Sequence, residues 1–298
     1  MAGTFVLIDK HQGATSAQAV AIVRRLFNGV KTGHTGTLDP MATGLLTIAL
    51  GEAAGYIRFM PDDKAYRATV SFGAVSDTGD AWGNVSTQQH PPADLVTRVR
   101  DILPDFIGTI MQTAPQHSAL KYKGKPLYHY ARKNISVPEK RRQVRVHELT
   151  LEKSENDNIT LFIRCGGGFY VRSLAHDLGV RVGCGAYLSA LRRLQCAPFD
   201  IAQAQVLDSL TTSATAKQLS IETALTHLPA QSVDNTRLWA LAQGQRECPP
   251  SDENEESGQL VRLQTANNRF AGVARQRETC FLPQKLLSWT REKKNYDN

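Results

Sequence analysis

The sequence predicts an α+β protein with a large N-terminal domain and a small C-terminal domain. Apolar runs with strand periodicity alternate with apolar residues at helical spacing, a second group of short strands follows Pro229, and 298 residues can bury a sizeable core. The large domain has predicted strands at 4–8, 68–75 and 159–164 and predicted helices at 17–27, 92–103 and 174–182. We expect domains at 1–229 and 230–298.

The elements of the large domain are separated by recognisable turns. Ser16 precedes the apolar residues of the first helix and is expected to be its N-cap, because a hydroxyl there accepts a hydrogen bond from a free backbone amide. Residues 76–84 have the composition of a loop, and 92–103 place their apolar residues on one helix face. Gly166–Gly168 turn the chain into the third helix; a phosphate-binding turn is the weaker interpretation of these glycines.

The C-terminal part alternates irregular segments with short strands. Residues 198–229 are expected to be helical or irregular, and 249–258 form an acidic, loop-like insertion. The remaining predictions are a helix at 236–245 and strands at 259–264, 269–275 and 279–282. A small β-rich unit of this kind could bind a ligand or simply stabilise the larger domain.

Composition and charge favour a polyanionic partner. Apolar residues make up 41% and charged residues 21% of the chain, as in ordinary globular proteins, and 35 Lys and Arg against 28 Asp and Glu give a net charge of +7. Residues 1–10 lack the pattern of a signal peptide, and no apolar run reaches the roughly 18 residues of a membrane span. We expect a soluble cytoplasmic protein.

The five cysteines are odd in number and far apart, and no two of them form a C-x-x-C pair. This spacing indicates neither a zinc site nor a disulfide framework, so reduced thiols are expected.

The most basic segment is 121–145, which carries nine Lys and Arg residues against Glu139 alone. Tyr122, Tyr128 and Tyr130 are interleaved with the basic side chains. Such a pattern suits a phosphate backbone and unpaired bases. A solvated charged face with tyrosines in the core explains it equally well.

The loop GHTGTLDPMATGLL, residues 33–46, is the best candidate for a catalytic site. Gly33 and Gly36 allow a close approach to a ligand or a positive φ, and Pro40 keeps Asp39 out of the α region. The apolar run 45–50 that follows predicts a buried element anchoring the loop. An Asx-type turn at Asp39 is the structural alternative.

This loop resembles the catalytic loop of the TruB family of tRNA pseudouridine synthases, whose essential aspartate stands at the position of Asp39. Lys10–Ser16 resembles the family's K-P-x-G-x-T-S block, with His11 in place of proline. A later block, residues 168–174, resembles G-T-Y-I-R-S-L, with Phe169 in place of threonine. In the block 112–132, His117 stands where tyrosine is usual.

The resemblance implies an isomerase that converts uridine 55 of the tRNA T loop to pseudouridine, with no cofactor and no metal. Asp39 would be the catalytic carboxylate, Arg172 its ion-pair partner and Tyr66 the ring stacking on the flipped base. Taken alone, Arg172 fits a structural salt bridge and Tyr66 an ordinary core position.

Four further residues match family positions at the substrate. Tyr170 and Leu191 would line the pocket, His34 would contact the RNA near the flipped nucleotide, and Lys10 would help to organise the region. Without the resemblance, the first two would be assigned to the core and His34 to a loop hydrogen bond.

The resemblance also implies a mixed, mostly antiparallel sheet in the catalytic domain and an RNA-binding PUA-like domain at 230–298. The expected partner is the T-arm stem-loop of tRNA, bound by a monomer of the stand-alone bacterial type that needs no protein partner and no membrane. Two rivals remain: an RNA-binding protein without chemistry, and an H/ACA-guided relative acting on ribosomal RNA.

Overall fold

The computed structural model describes residues 3–118, 120–131, 133, 135, 137–245, 247–248 and 257–292. The side chain of Tyr128 and residues 249–256 of the predicted acidic insertion lie outside this description. No helix in the described ranges is long and apolar enough to span a lipid bilayer.

Strands dominate the described part of the chain. The α-helices are α1 (Ser16–Leu26), α2 (Leu95–Ile102), α3 (Leu127–Ala131), α4 (Val171–Val182), α5 (Ile221–Ala224) and α6 (Asn235–Ala242). The 3-10 turns are Gly51–Gly55, Ile57–Phe59, Leu103–Phe106, Ile201–Gln203, Leu207–Ser209 and Ser288–Arg291. The strands are β1 (Thr4–Lys10), β2 (Thr32–His34), β3 (Thr43–Leu50), β4 (Lys64–Phe72), β5 (Ala74–Ser76), β6 (Val85–Thr87), β7 (Gly108–Thr113), β8 (Lys121–Tyr122), β9 (Lys125–Pro126), β10 (Arg141–Glu155), β11 (Asn158–Cys165), β12 (Ala186–Cys196), β13 (Phe199–Asp200), β14 (Gln205–Val206), β15 (Gln218–Ser220), β16 (Ala230–Ser232), β17 (Gln259–Gln264), β18 (Phe270–Arg277) and β19 (Cys280–Leu286).

Within the described ranges, eleven strands form one large mixed sheet. Its main path runs β14-β1-β3-β12-β4-β11-β10-β7, with β15, β2 and β13 paired to β1, β3 and β12. Along this path the β1–β14 and β3–β12 pairs are parallel and the other pairs are antiparallel. The predicted α+β class with a mixed, mostly antiparallel sheet is confirmed.

Helices α1, α2 and α4 cover the large sheet and close its main core. Val23, Val99 and Leu178, one from each helix, are fully buried together with core residues of the sheet. Helix α4 lies directly on the sheet because Gly179 has no side chain: a Cβ there would stand 2.1 Å from the Ala186 backbone nitrogen. This close packing holds α4, which carries Arg172 in its first turn, against the sheet.

The four-stranded sheet β16-β17-β18-β19 begins at Ala230 and has its own small core. It also packs against the first 3-10 turns of the large domain. The Tyr56 and Phe270 rings meet edge to face with centroids 5.9 Å apart, and the Tyr56 hydroxyl donates to the Lys285 carbonyl at 3.2 Å. Apolar contact therefore joins the two sheets across the predicted domain boundary.

Two predictions for the N-terminal and central segments are wrong. The N-cap of α1 is Thr15, whose hydroxyl accepts from the Gln18 amide at 3.1 Å, and not Ser16. Within 198–229, β14 and β15 are strands that pair with β1. No sequence pattern predicts these two short strands, because pairing with β1 stabilises them and they are too short to show an alternation of apolar and polar residues of their own.

The expectation of reduced cysteines is wrong for one pair. Cys248 and Cys280 form a disulfide with their Cα atoms 5.4 Å apart, and Cys165, Cys184 and Cys196 are free and buried. The bond links the segment after α6 to the start of β19.

Candidate active site

The loop that carries Asp39 joins β2 to β3 and is fastened to the turn before α1. The Ser16 hydroxyl accepts from the Leu38 amide at 2.8 Å and donates to the Leu38 carbonyl at 2.9 Å. The Gly13 amide donates to the Pro40 carbonyl at 2.9 Å. Asp39 therefore has the fixed, non-helical backbone that the sequence predicts.

The glycines of this loop act through close approach and not through a positive φ. Gly33 and Gly36 both have negative or extended backbone angles, and a Cβ at Gly36 would lie 3.3 Å from Cε of Lys64. The positive φ belongs to Gly44, at +103°, where a Cβ would lie 2.3 Å from the Arg193 carbonyl oxygen. Gly44 thus allows β3 and β12 to meet behind the loop.

Arg172, at the start of α4, holds the Asp39 carboxylate. Its Nε lies 3.0 Å from Oδ2 of Asp39, and its Nη2 donates to Oδ1 at 3.3 Å. The Arg172 side chain is 6% exposed and that of Asp39 is 32% exposed. Two contacts to one carboxylate fix its direction, while its partial exposure leaves it open to a ligand.

Other donors of Arg172 bind groups outside Asp39. They bond the carbonyls of Thr78 at 3.0 Å and His117 at 2.8 Å, and Nη1 lies 3.8 Å from Oδ2 of Asp80. Segments far apart in sequence thus meet at one guanidinium.

Asp80 completes this network, and sequence reasoning missed it. Its Oδ1 accepts from the Thr78 hydroxyl at 2.9 Å and from the Trp82 amide at 3.0 Å, while the side chain is buried. The only sequence signal was an acid after Gly79 in a segment that has the composition of an ordinary loop.

The surroundings of Asp39 make it a weaker acid than usual. Burial raises the pKa of its carboxyl group, and the negative charge of Asp80 acts in the same direction. The positive charges of Arg172 and Lys10 oppose this rise in pKa. A carboxylate balanced between burial and cations is typical of catalytic sites.

A cavity of about 450 Å³ opens beside the Asp39 carboxylate. The predicted residues Tyr66, Tyr170 and Leu191 line it together with Asp39 and Arg172. Burial raises the pKa of Tyr66 to about 12, so its hydroxyl is protonated at neutral pH. The structure thus brings together five of the seven site residues predicted from the sequence.

His34 and Lys10 lie elsewhere. His34 lines a second cavity, of about 530 Å³, which also has Asp39 and Arg172 in its wall. Lys10 is fully buried and is not among the described residues lining either cavity; its Nζ donates to the carbonyls of His11 at 2.9 Å and Ala14 at 2.8 Å. Burial lowers the pKa of Lys10 to about 8, against the opposing effect of Asp39.

Arg193 is a second residue that sequence reasoning missed. It is fully buried in β12, and its guanidinium donates to the carbonyls of Leu45 at 2.6 Å, Gly36 at 3.1 Å and Thr37 at 3.4 Å. It thereby ties the catalytic loop to β3 and β12. The signal in the sequence that could have indicated this role is a charged residue at a position where a largely apolar strand faces inward.

We expect Arg193→Met to lower the free energy of unfolding by about 2–4 kcal/mol, because it leaves buried carbonyls of the loop without their charged donor. The matched control is Arg192→Met. Arg192 pairs with Asp9 where both side chains are partly exposed, so its loss should cost less, about 1 kcal/mol. Urea unfolding of both variants measures the difference, and equal losses would contradict the anchoring role of Arg193.

Comparison with known proteins places the chain in a family. Residues 24–171 match the family model "TruB family pseudouridylate synthase (N terminal domain)", and 172–229 match "tRNA pseudouridylate synthase B C-terminal domain". A protein named tRNA pseudouridine synthase B from Methylobacillus flagellatus is 38% identical over 292 residues, covering 95% of this chain and 94% of that protein. One of the same name from Chromohalobacter salexigens is 41% identical over 246 residues, covering 81% and 80%.

A solved structure shares the fold. The crystal structure of a Cbf5–Nop10–Gar1 complex contains a chain that superposes with a TM-score of 0.69 at 22% identity, covering 95% of this chain and 84% of that one. The sequence matches and this superposition agree with the motif at 33–46. The chain therefore belongs to the TruB family of pseudouridylate synthases.

Proposed function

We propose that this protein isomerises uridine to pseudouridine in the T loop of tRNA, at position 55, with Asp39 as the catalytic residue. The observation that carries the proposal is the Asp39 carboxylate, held by two contacts from Arg172 at the wall of a cavity lined by Tyr66. Relatives that cover most of this chain and are named tRNA pseudouridine synthase B support it.

The reaction breaks the N1–C1′ bond of the uridine, forms a C5–C1′ bond and releases the hydrogen from C5. Since nothing is oxidised and no group is added, the atoms balance without a co-reactant. Asp39 acts on the bound nucleotide, either as a nucleophile at the sugar or base or as the base that takes a ribose proton. In both routes the carboxylate must be ionised, and Arg172 favours that form.

The other cavity residues hold the flipped nucleotide. Extruding a base costs a few kcal/mol, which stacking and packing in the pocket offset. Tyr66 offers a ring against the base, Leu191 and Tyr170 close the pocket, and Lys64 and Arg142 add positive charge to its wall for the RNA backbone.

In this proposal both domains of the chain contact the tRNA. Residues 1–229 form the catalytic domain, and residues 230–298 form a PUA-like domain that extends the RNA contact beyond the T arm. A monomer in the cytoplasm without a protein partner is sufficient, because Asp39, Arg172 and Tyr66 all come from one chain.

The test uses a T-arm hairpin RNA that carries tritium at C5 of the target uridine alone. The wild-type protein should release tritium to solvent in multiple turnovers, because forming the C5–C1′ bond displaces that hydrogen. Tight binding of the hairpin without release would favour the RNA-binding rival. Release only from a ribosomal RNA fragment in a parallel assay would favour the other rival.

The pH dependence of turnover should report Asp39. Since burial and Asp80 raise its pKa, activity should fall on acidification at a higher pH than for an ordinary carboxylate. Asp80→Asn removes a negative charge and should move this acid limb to lower pH. The control is Asp77→Asn. The Asp77 carboxylate accepts hydrogen bonds from Asn84 and does not face Arg172, so the acid limb of the pH profile should stay in place in this variant. The pH profile of tritium release measures both, and an unmoved limb in Asp80→Asn would refute the assignment.

A further inference from the structure

Ser118 has a buried hydroxyl group without a hydrogen-bond partner in the wall of the cavity beside Asp39. The residue lines the cavity of about 450 Å³ together with Asp39 and Tyr66, and it is 3% exposed. No described residue donates a hydrogen bond to its Oγ or accepts one from it. Buried polar side-chain atoms are nearly always hydrogen-bonded, because an unpaired one costs free energy. We therefore expect the Ser118 hydroxyl to bind a group that enters the cavity with the substrate.

Arg172 sets the position of Ser118 relative to the Asp39 carboxylate. The Nη2 atom of Arg172 donates to Oδ1 of Asp39 at 3.3 Å and to the carbonyl of His117, the residue before Ser118, at 2.8 Å. One guanidinium nitrogen thus contacts both the carboxylate and the peptide group that joins His117 to Ser118. Ser118 therefore lies beside Asp39 in the wall of the cavity.

The part of the substrate that comes next to Asp39 is the ribose of the target uridine. In each route open to Asp39, the carboxylate approaches the nucleotide at or beside the N1–C1′ bond. The carbon next to C1′ carries the 2′-hydroxyl group, so this hydroxyl enters the cavity close to Asp39 and hence to Ser118.

The Ser118 hydroxyl and the ribose 2′-hydroxyl are complementary in their hydrogen bonding. Each can donate one hydrogen bond and accept others, so the two groups can pair in either direction. The ionised Asp39 carboxylate can only accept, and the Arg172 guanidinium can only donate. A neutral hydroxyl at Ser118 binds the ribose without adding a charge beside the Asp39 carboxylate.

We propose that the Ser118 hydroxyl binds the 2′-hydroxyl of the target uridine and selects a ribonucleotide over a deoxyribonucleotide at that position. This inference rests on the proposed function, which supplies the RNA and the target nucleotide. The 2′-hydroxyl is the group by which a protein distinguishes RNA from DNA. Ser118 is then a specificity-determining residue, and no covalent bond forms or breaks at its Oγ.

The test compares two T-arm hairpins that differ only at the target uridine, which carries a 2′-hydroxyl in the first and a 2′-hydrogen in the second. Equilibrium binding is measured in an Asp39→Asn background, so that the target uridine is not converted during the titration. With Ser118 in place, the deoxy hairpin should bind about fivefold more weakly, as expected for one lost hydrogen bond between neutral groups. Ser118→Ala should weaken binding of the ribo hairpin by a similar factor and should leave binding of the deoxy hairpin unchanged.

The matched control is Ser189→Ala. The Ser189 hydroxyl already donates to the Thr69 carbonyl at 3.1 Å, and Ser189 is not among the described residues that line the cavity, so the ratio of the two affinities should not change. If Ser118→Ala weakens binding of both hairpins equally, or of neither, the inference is wrong. Tritium release by the wild type is scored separately. A hairpin that is bound with ribose selectivity but not isomerised would contradict the proposed function and leave this inference intact.

Discussion

Asp39→Asn is expected to reduce kcat by about 10⁴-fold or more, while the Kd for the T-arm hairpin changes by less than about threefold. The amide has the shape of the carboxylate but can neither attack the nucleotide nor accept its proton. Binding survives because the cavity walls, Tyr66 and the basic side chains around the pocket are unchanged.

Single-turnover tritium release and equilibrium binding on the same preparation separate the two effects. Asp62→Asn is the matched control, because Asp62 lines the same cavity and its carboxylate faces Gly167 instead of Arg172. It should keep kcat within about threefold of the wild type. If Asp39→Asn lost binding together with turnover, or retained turnover, the catalytic role of Asp39 would be wrong.

The variant Asp39→Asn should not be less stable than the wild type. Because the folded protein raises the pKa of Asp39 above its value in the unfolded chain, the native state binds the proton more tightly. Stability therefore falls as pH rises through that window, and the ionised carboxylate opposes folding at neutral pH. Removing the charge should leave the urea midpoint equal or higher, as expected for a residue retained for chemistry.

The part of the site that could be predicted from sequence is the part carried by contiguous residues. The loop 33–46 and the start of α4 each have a distinctive local pattern, and the fold brings Asp39 and Arg172 together from 133 positions apart. Asp80 and Arg193 gave little signal because their roles depend on distant partners, a guanidinium for one and backbone carbonyls for the other.

Long-range geometry also explains what was missed in the fold. Strand β10 has 15 residues but carries a register shift between Val146 and Glu148, which interrupts its alternation of apolar and polar side chains. The disulfide joins cysteines 32 positions apart that no spacing rule connects. Strands β17, β18 and β19 were predictable because each keeps its own pattern and a short turn joins it to the next.

Arg172→Met should reduce kcat by about 10²–10³-fold, because it removes the donor that directs the Asp39 carboxylate. It also leaves two carboxylates, Asp39 and Asp80, together without their cation. The pKa of Asp39 then rises further, so the acid limb of turnover should move to higher pH, opposite to its shift in Asp80→Asn. The free energy of unfolding should fall by about 3–5 kcal/mol, because the buried Asp80 and the carbonyls of Thr78 and His117 lose the cation that they share.

Arg172→Lys separates charge from geometry. Lysine keeps the positive charge but cannot bond Asp39 and the carbonyls of Thr78 and His117 at once, so kcat should stay well below that of the wild type while the acid limb returns towards its normal pH. The control is Arg181→Met on the same helix, where an exposed pair with Asp105 is lost and kcat should be unaffected. A near-normal kcat in Arg172→Met would limit the ion pair to a structural role. Opposite shifts of the acid limb in Arg172→Met and Asp80→Asn, in contrast, can arise only if both charges act on the ionisation of Asp39.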